Sequence, residues 1–239
     1  MRIFVPSMPA FAVKLRNYES DYMTLEITIN SRAFVLHCSG ALYWVEKRML
    51  LISDAHLGKV SHFRKYGSAI PGGAIHKNFK KLDEAVAYFE PESICFLGDL
   101  FHSTLNNEWE LFKDWVERTA LPIVLVAGNH DIISPTKYHD INITIVSEWA
   151  YDGFLLTHHP EEREDLFTLC GHIHPAVLLA GKGRQFLKLP CFFRSHHQMI
   201  LPAFGEFTGT YIMEPAEGDV IYVITKEDVV LIGKKAERL

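Results

Sequence analysis

Long apolar runs are missing from this chain. No stretch approaches the ~18 residues that a membrane-spanning helix needs, so no membrane role is expected. An excess of basic charge is missing too. The formal charge is -5, which excludes general attraction to a polyanion and leaves only a local patch or metal ions to meet one. The four cysteines, Cys38, Cys95, Cys170 and Cys191, form no C-x-x-C pair. That argues against a zinc knuckle or redox motif and suggests reduced, buried thiols in a cytoplasmic protein. A signal-peptide pattern is not evident: Pro6 and Pro9 interrupt the apolar start and Arg2 is its only leading charge. No internal repeat or low-complexity tract appears.

The chain of 239 residues, 48% apolar, is long enough for one large α/β domain or two small ones. Residues 1–22 show little periodicity and read as an N-terminal extension, either an arm or the product of an upstream translation start. Residues 23–239 read as a single domain. Leu25, Ile27 and Ile29 alternate with polar residues, as a half-buried strand requires, and Asn30-Ser31 follows as a turn. Further strands are expected at 33–36, 41–45, 93–97, 122–127, 141–146, 154–157 and 166–169. Helices are expected at 74–89 and 107–119, the second with Trp109, Phe112, Trp115 and Val116 at core spacing. The remainder, from 177 to 232, is strand-rich. Helices early and strands late point to two sheets packed face to face with helices outside.

The chemistry gathers where apolar runs stop. Leu50-Leu51-Ile52-Ser53 runs into Asp54-Ala55-His56, whose side chains, two apart on a strand, would aim at one point. Later runs end in Gly98-Asp99, Gly128-Asn129-His130-Asp131, His158 and Gly171-His172-Ile173-His174. Carboxylate, amide and imidazole ligands together suit a divalent transition metal better than Ca²⁺. Strand ends are where α/β folds assemble their sites. Between Gly58 and Asp83 the chain carries no acid but holds Lys59, Arg64, Lys65, Lys77, Lys80 and Lys81, interleaved with His62, Phe63 and Tyr66. This segment reads either as a solvated helix and loop or as a phosphate-attracting rim.

The ordered series D-x-H, G-D, G-N-H-D, H and G-H-x-H resembles the calcineurin-like metallophosphoesterase superfamily over residues 50–175. The strings Ser53–Lys59, His62-Phe63-Arg64, Gly98–Ser103 and Leu201–Gly209 are similar to one branch of it, the ligase-associated DNA-damage-response endonucleases of the PdeM type. The resemblance implies an α/β fold, a β-sandwich of two mixed sheets flanked by helices in four αββα layers. It implies two divalent ions, Mn²⁺ foremost with Fe or Zn²⁺ as alternatives. Asp54, His56, Asp99 and His174 would hold the first ion, and Asp99, Asn129, His158 and His172 the second. His158 is preferred to His159 because Thr157-His158 directly closes its strand. His130 would protonate the leaving oxygen or stabilise the transition state, with Asp131 gripping its ring. His102 would act on the nucleic-acid substrate, as in the nuclease branch, and Lys59, His62, Arg64 and Lys65 would contact that substrate. The implied activity is a DNA endonuclease in repair, cutting phosphodiesters by attack of a hydroxide shared between the metals. Its implied partners are DNA and a ligase, an exonuclease and a helicase encoded alongside. Two alternatives stand beside it: a small-molecule phosphodiesterase or nucleotide hydrolase, and a non-catalytic interaction module on the same fold.

Overall fold

The computed structural model describes residues 23–65, 67, 74–102, 104–180, 185–206 and 208–232. The expected extension 1–22 lies outside them.

The first sheet has seven strands: β1 (Thr24–Ile29), β2 (Arg32–His37), β3 (Leu42–Trp44), β4 (Met49–Ile52), β5 (Ser93–Leu97), β6 (Ile123–Val126) and β7 (Ile143–Val146), side by side in chain order. β1 to β4 form an antiparallel meander and β4 to β7 run parallel. Asn30 and Ser31 both take positive φ, 46° and 62°, the backbone that a tight two-residue hairpin turn requires. Among the described residues, four helices accompany this sheet: α1 (Lys59–Lys65), α2 (Ala74–Phe89), α3 (Asn107–Thr119) and α4 (Pro135–His139).

The second sheet contains β8 (Trp149–Tyr151), β9 (Phe154–Leu156), β10 (Phe167–Cys170), β11 (Pro175–Ala180), β12 (Phe186–Arg194), β13 (Gln198–Ile200), β14 (Tyr211–Ile212), β15 (Val220–Ile224) and β16 (Val229–Ile232). Its order is β14-β11-β12-β13-β10-β9-β8, with β15 on β12 and β16 beyond it. Both sheets are therefore mixed, as expected. Pro190 divides the sequence into two apparent strands, but β12 runs through it. Up to Pro190 it pairs with β11; from Cys191 onward it pairs with β15 and then β13. The missing proline N–H falls where the ladder changes partner, so little hydrogen bonding is lost.

Two apolar interiors follow from the sequence pattern. Leu36, Trp44, Leu51 and Leu97 of the first sheet meet Phe154, Leu169, Phe192 and Met199 of the second. On the other face, Leu50, Ile52, Phe96 and Leu125 meet Leu82 and Phe89 of α2, Phe112 and Trp115 of α3, and Tyr138 of α4. β4 is buried throughout because it feeds both interiors, which is why it reads as an unbroken apolar run. The aromatics of α3 are core, as their spacing predicts. A smaller cluster, Cys170, Val177, Cys191, Phe193, Ile200 and Val223, lies on the second sheet's far side and takes no residue from α1 to α4. Burial pushes the Cys95, Cys170 and Cys191 thiols up, so they are inert packing groups.

Phe154 sits fully buried between the sheets, 4.7 Å from Trp44 and 5.3 Å from Phe34 between ring centroids. Phe154→Ala should cost about 3–5 kcal/mol of stability, read as a lower urea midpoint at unchanged slope. Exposed Leu178→Ala should move stability by less than about 0.5 kcal/mol.

Candidate metal centre

The loops after β4 and β5 do not separate when their strands end. Asp54 N–H donates to the Gly98 carbonyl, His56 N–H to Asp99, Leu57 N–H to Leu100, and His102 N–H back to Leu57. This continued ladder sets Asp54 and His56 beside Asp99 and His102. Strand alternation does not aim Asp54 and His56, contrary to the expectation from sequence. β4 stops at Ile52, and both residues take left-handed backbone, with φ 52° and 45°. Asp99 (49°), His172 (69°) and His174 (54°) do the same. Each such residue costs on the order of 1–2 kcal/mol, so the folded sandwich holds strained backbone at the point where the side chains converge.

The structure brings together all the predicted ligand positions, in two groups about one carboxylate. In the first group, His174 Nε2 lies 3.1 Å from Asp54 Oδ1 and 3.3 Å from His56 Nε2. In the second, His158 Nε2 lies 3.0 Å from Asn129 Oδ1 and 3.1 Å from His172 Nδ1. Asp99 stands between them. Its Oδ2 is 3.9 Å from His56 Nε2, and its Oδ1 is 3.4 Å from His158 Nε2. The outer ring nitrogens of two histidines are committed elsewhere: His158 Nδ1 to the Leu97 carbonyl at 3.0 Å and His174 Nδ1 to the Gly209 carbonyl at 3.1 Å. In the neutral tautomer that these contacts select, each Nε2 presents a lone pair inward. Oxygen and nitrogen lone pairs thus face each other across both groups, an arrangement that cations satisfy. The residues fit a pair of divalent ions.

Charge supports this. Burial pushes His56 down to about 3, so its ring stays neutral. Burial and the neighbouring His158 and His159 hold His172 below its ordinary value. Burial also works on Asp54 in the raising direction, but hydrogen bonds from Ser53 and, where its ring carries the second proton, from His174 outweigh it and hold the carboxyl below its usual range; a cation would take that proton's place. The Ser53 hydroxyl and the His172 N–H both donate to Asp54 Oδ2. Ser53 was not singled out in the sequence; its place directly before the first carboxylate is the signal that was there.

The glycines preceding the ligands give up volume to their partners. A Cβ on Gly98 would fall 2.2 Å from His158 Nδ1, and one on Gly171 would fall 1.7 Å from Ser53 Oγ. The Leu201–Glu206 segment, noted in the sequence but unexplained there, braces the first loop from below. Phe204 N–H donates to Ser53 O and Gly205 N–H to Asp54 O. Lys81 in turn donates to Phe204 O and lies over its ring, so this lysine is a strut and not part of a phosphate rim.

His130 and His102 flank the centre. Their rings stack with centroids 5.1 Å apart, and each is 5.5 Å from the His56 ring. Asp131 does not grip the His130 ring. Its oxygens accept from the backbone N–H groups of Gly128 and Phe101, which shapes the loop, and neither is hydrogen-bonded to the imidazole. Burial pushes its carboxyl up to about 6, and nearby Asp99 adds to this. Lys59, half-buried, is near enough to Asp99 to feel its charge, while burial holds the ammonium below its ordinary value. The side chains of His62, Arg64 and Lys65 lie outside the described residues. Glu108, missed in the sequence, is buried and accepts from Gly58 N–H, Ser61 N–H and Ser61 Oγ, so it caps α1 from half a sheet away. Exposed His159 has its ring 4.2 Å from that of His172 and could also reach the second group.

Residues 47–225 match the family model of calcineurin-like phosphoesterases. The chain belongs to this family. A calcineurin-like phosphoesterase carries divalent metals, and the geometric groups His158-His159-His172, Asp54-His56-His174 and Asp54-Asp99-His158 are where the structure offers to hold them. Among solved structures the phosphoesterase is similar to the Pseudomonas putida nuclease MPE, with 30% identity over 87% of this chain and 100% of that one and a TM-score of 0.74. A protein of unknown function from Aquifex aeolicus, AQ665, matches at 19% identity over 57% of this chain and 82% of that one, with a TM-score of 0.38. No curated protein matches the chain.

Two outcomes follow for this phosphoesterase. Gly98→Ala should weaken divalent-metal binding at least about tenfold in equilibrium dialysis, because the new methyl displaces His158; unchanged affinity would contradict the geometry. In metal-free protein, His56 binds a proton at about 3 when folded and at 6.5 when unfolded. Between those values the unfolded state holds more protons, so stability is full above pH 6.5 and is lost as pH falls. Urea unfolding at pH 7 and 5 should show a loss of up to about 2 kcal/mol, and His56→Gln should reduce it.

Proposed function

We propose that this phosphoesterase cleaves DNA phosphodiesters with two divalent ions. The observation that carries the reading is Asp99, whose two oxygens face two separate ligand groups, His56 with Oδ2 and His158 with Oδ1. One carboxylate shared in this way suits a pair of metals. When bound, such ions supply Lewis acidity that activates water and neutralises phosphate charge. Mn²⁺ is the favoured ion, since the set mixes imidazole with oxygen ligands; Fe and Zn²⁺ accept the same set.

The protein's own groups do the rest. Asp54, His56, Asp99 and His174 hold one ion, and Asp99, Asn129, His158 and His172 the other. Asn129 contributes a neutral oxygen, which limits negative charge where a phosphate docks. His130, with its backbone N–H fixed on Asp99 Oδ1 at 2.9 Å, offers its ring proton to the departing oxygen. Asp131 holds the loop that positions it. Lys59 supplies positive charge beside Asp99, and His62, Arg64 and Lys65 continue that segment. His102, stacked on His130, handles the substrate next to the scissile bond.

DNA as substrate is supported by the likeness to a protein titled a nuclease and by the motif resemblance to the ligase-associated endonucleases. From that resemblance also come a repair role, a cytoplasmic setting and a ligase, an exonuclease and a helicase as partners. The test is nicking of supercoiled plasmid in Mn²⁺ beside hydrolysis of bis-p-nitrophenyl phosphate. Wild type should do both, and Asp99→Ala should lower both at least about a hundredfold. His102→Ala should lose more on plasmid than on the ester. Ester hydrolysis without any nicking would leave a small-molecule phosphodiesterase as the answer.

A further inference from the structure

The metal groups account for a phosphate and are silent on what the phosphate carries. One wall of the centre speaks to that. His102 and His130 stack with their planes 23° apart. Phe63 extends the row outward, its ring 6.2 Å from His102 and tilted 33°. Among the described residues the row runs from His56, edge-on to both imidazoles, out to Phe63, which is 36% exposed. Exposed apolar residues also follow the two histidines in the chain: Leu105, 48% exposed, three residues beyond His102, and Ile132, 63% exposed, two residues beyond His130. A phosphate gains nothing from such groups. A flat heteroaromatic ring does.

The helix bearing Phe63 is fixed in place. Glu108 accepts from the amides at its first turn. Lys59 and Phe63 are four apart on α1 and so share one face. Lys59, close enough to Asp99 to feel its charge, is thus followed one turn on by a ring.

We propose that Phe63, backed by His102, is a platform on which an extruded nucleobase adjoining the scissile phosphate stacks. The proposal rests on the nucleic-acid reading above and adds to it a base-binding subsite. Because every base presents a π-face, the platform tolerates sequence while requiring a base to be there.

The test uses the Mn²⁺-loaded full chain and a single-stranded oligonucleotide with a mapped cut, against the same strand carrying a tetrahydrofuran abasic residue beside that cut. Phe63→Leu keeps apolar bulk without a ring and should lower kcat/KM on the intact strand about tenfold. The abasic residue should cost wild type a similar factor, and variant and abasic strand together should cost no more than either alone. Phe63→Trp should restore the rate on the intact strand. Losses that multiply, or Phe63→Leu cutting the intact strand as fast as wild type, would overturn the platform while leaving the nuclease reading in place. Wild type that hydrolyses bis-p-nitrophenyl phosphate but cuts neither strand would overturn both.

Discussion

Lone pairs that point at one another repel, and the loops between the two sheets hold many such pairs in contact. Asp54 Oδ1 faces His174 Nε2, His158 Nε2 faces Asn129 Oδ1, and Asp99 faces both groups. Water cannot relieve this for the buried members, Asp54, His56, Asp99 and His158. Cations can. Much of the local structure serves that convergence. Left-handed backbone occurs at Asp54, His56, Asp99, His172 and His174, and glycines stand where a methyl would strike a ligand. The carbonyls of Leu97 and Gly209 take the outward proton of two imidazoles and turn their free nitrogens inward. Strain of this kind survives because the strands on either side are anchored in two apolar interiors.

Much of the fold was legible from periodicity. α2, β5 and α3 begin and end where the sequence places them, since α2 and α3 carry apolar residues at helical spacing and β5 is an apolar run closed by glycine. α1 was not legible as a separate helix, because its cap is Glu108, which lies far along the chain. α4 carried a readable signal in Ser134-Pro135, a proline at a helix start. β8, only Trp149–Tyr151, is too short for a pattern and owes its form to pairing with β9. Pro190 interrupts the apolar pattern without ending a strand, because it stands where β12 changes partner.

The candidate site was legible because its chemistry is concentrated at strand ends and each ligand follows an apolar run. What stayed hidden were interactions across sequence distance. The bracing of Ser53 by Phe204 and of Asp54 by Gly205, the inward turn of Lys81, and the use of Asp131 by Gly128 and Phe101 all depend on which loops meet. Residue type announces a carboxylate; only the fold decides whether it grips an imidazole or shapes a loop.

The central claim is that Asp99 is shared between two ions. Anomalous diffraction at the manganese edge, from crystals grown with Mn²⁺, tests it directly. The account predicts two peaks about 3.5–4 Å apart astride the Asp99 carboxylate, one against Asp54, His56 and His174 and the other against Asn129, His158 and His172. A single peak, or a second ion held by His159 without Asp99, would contradict it.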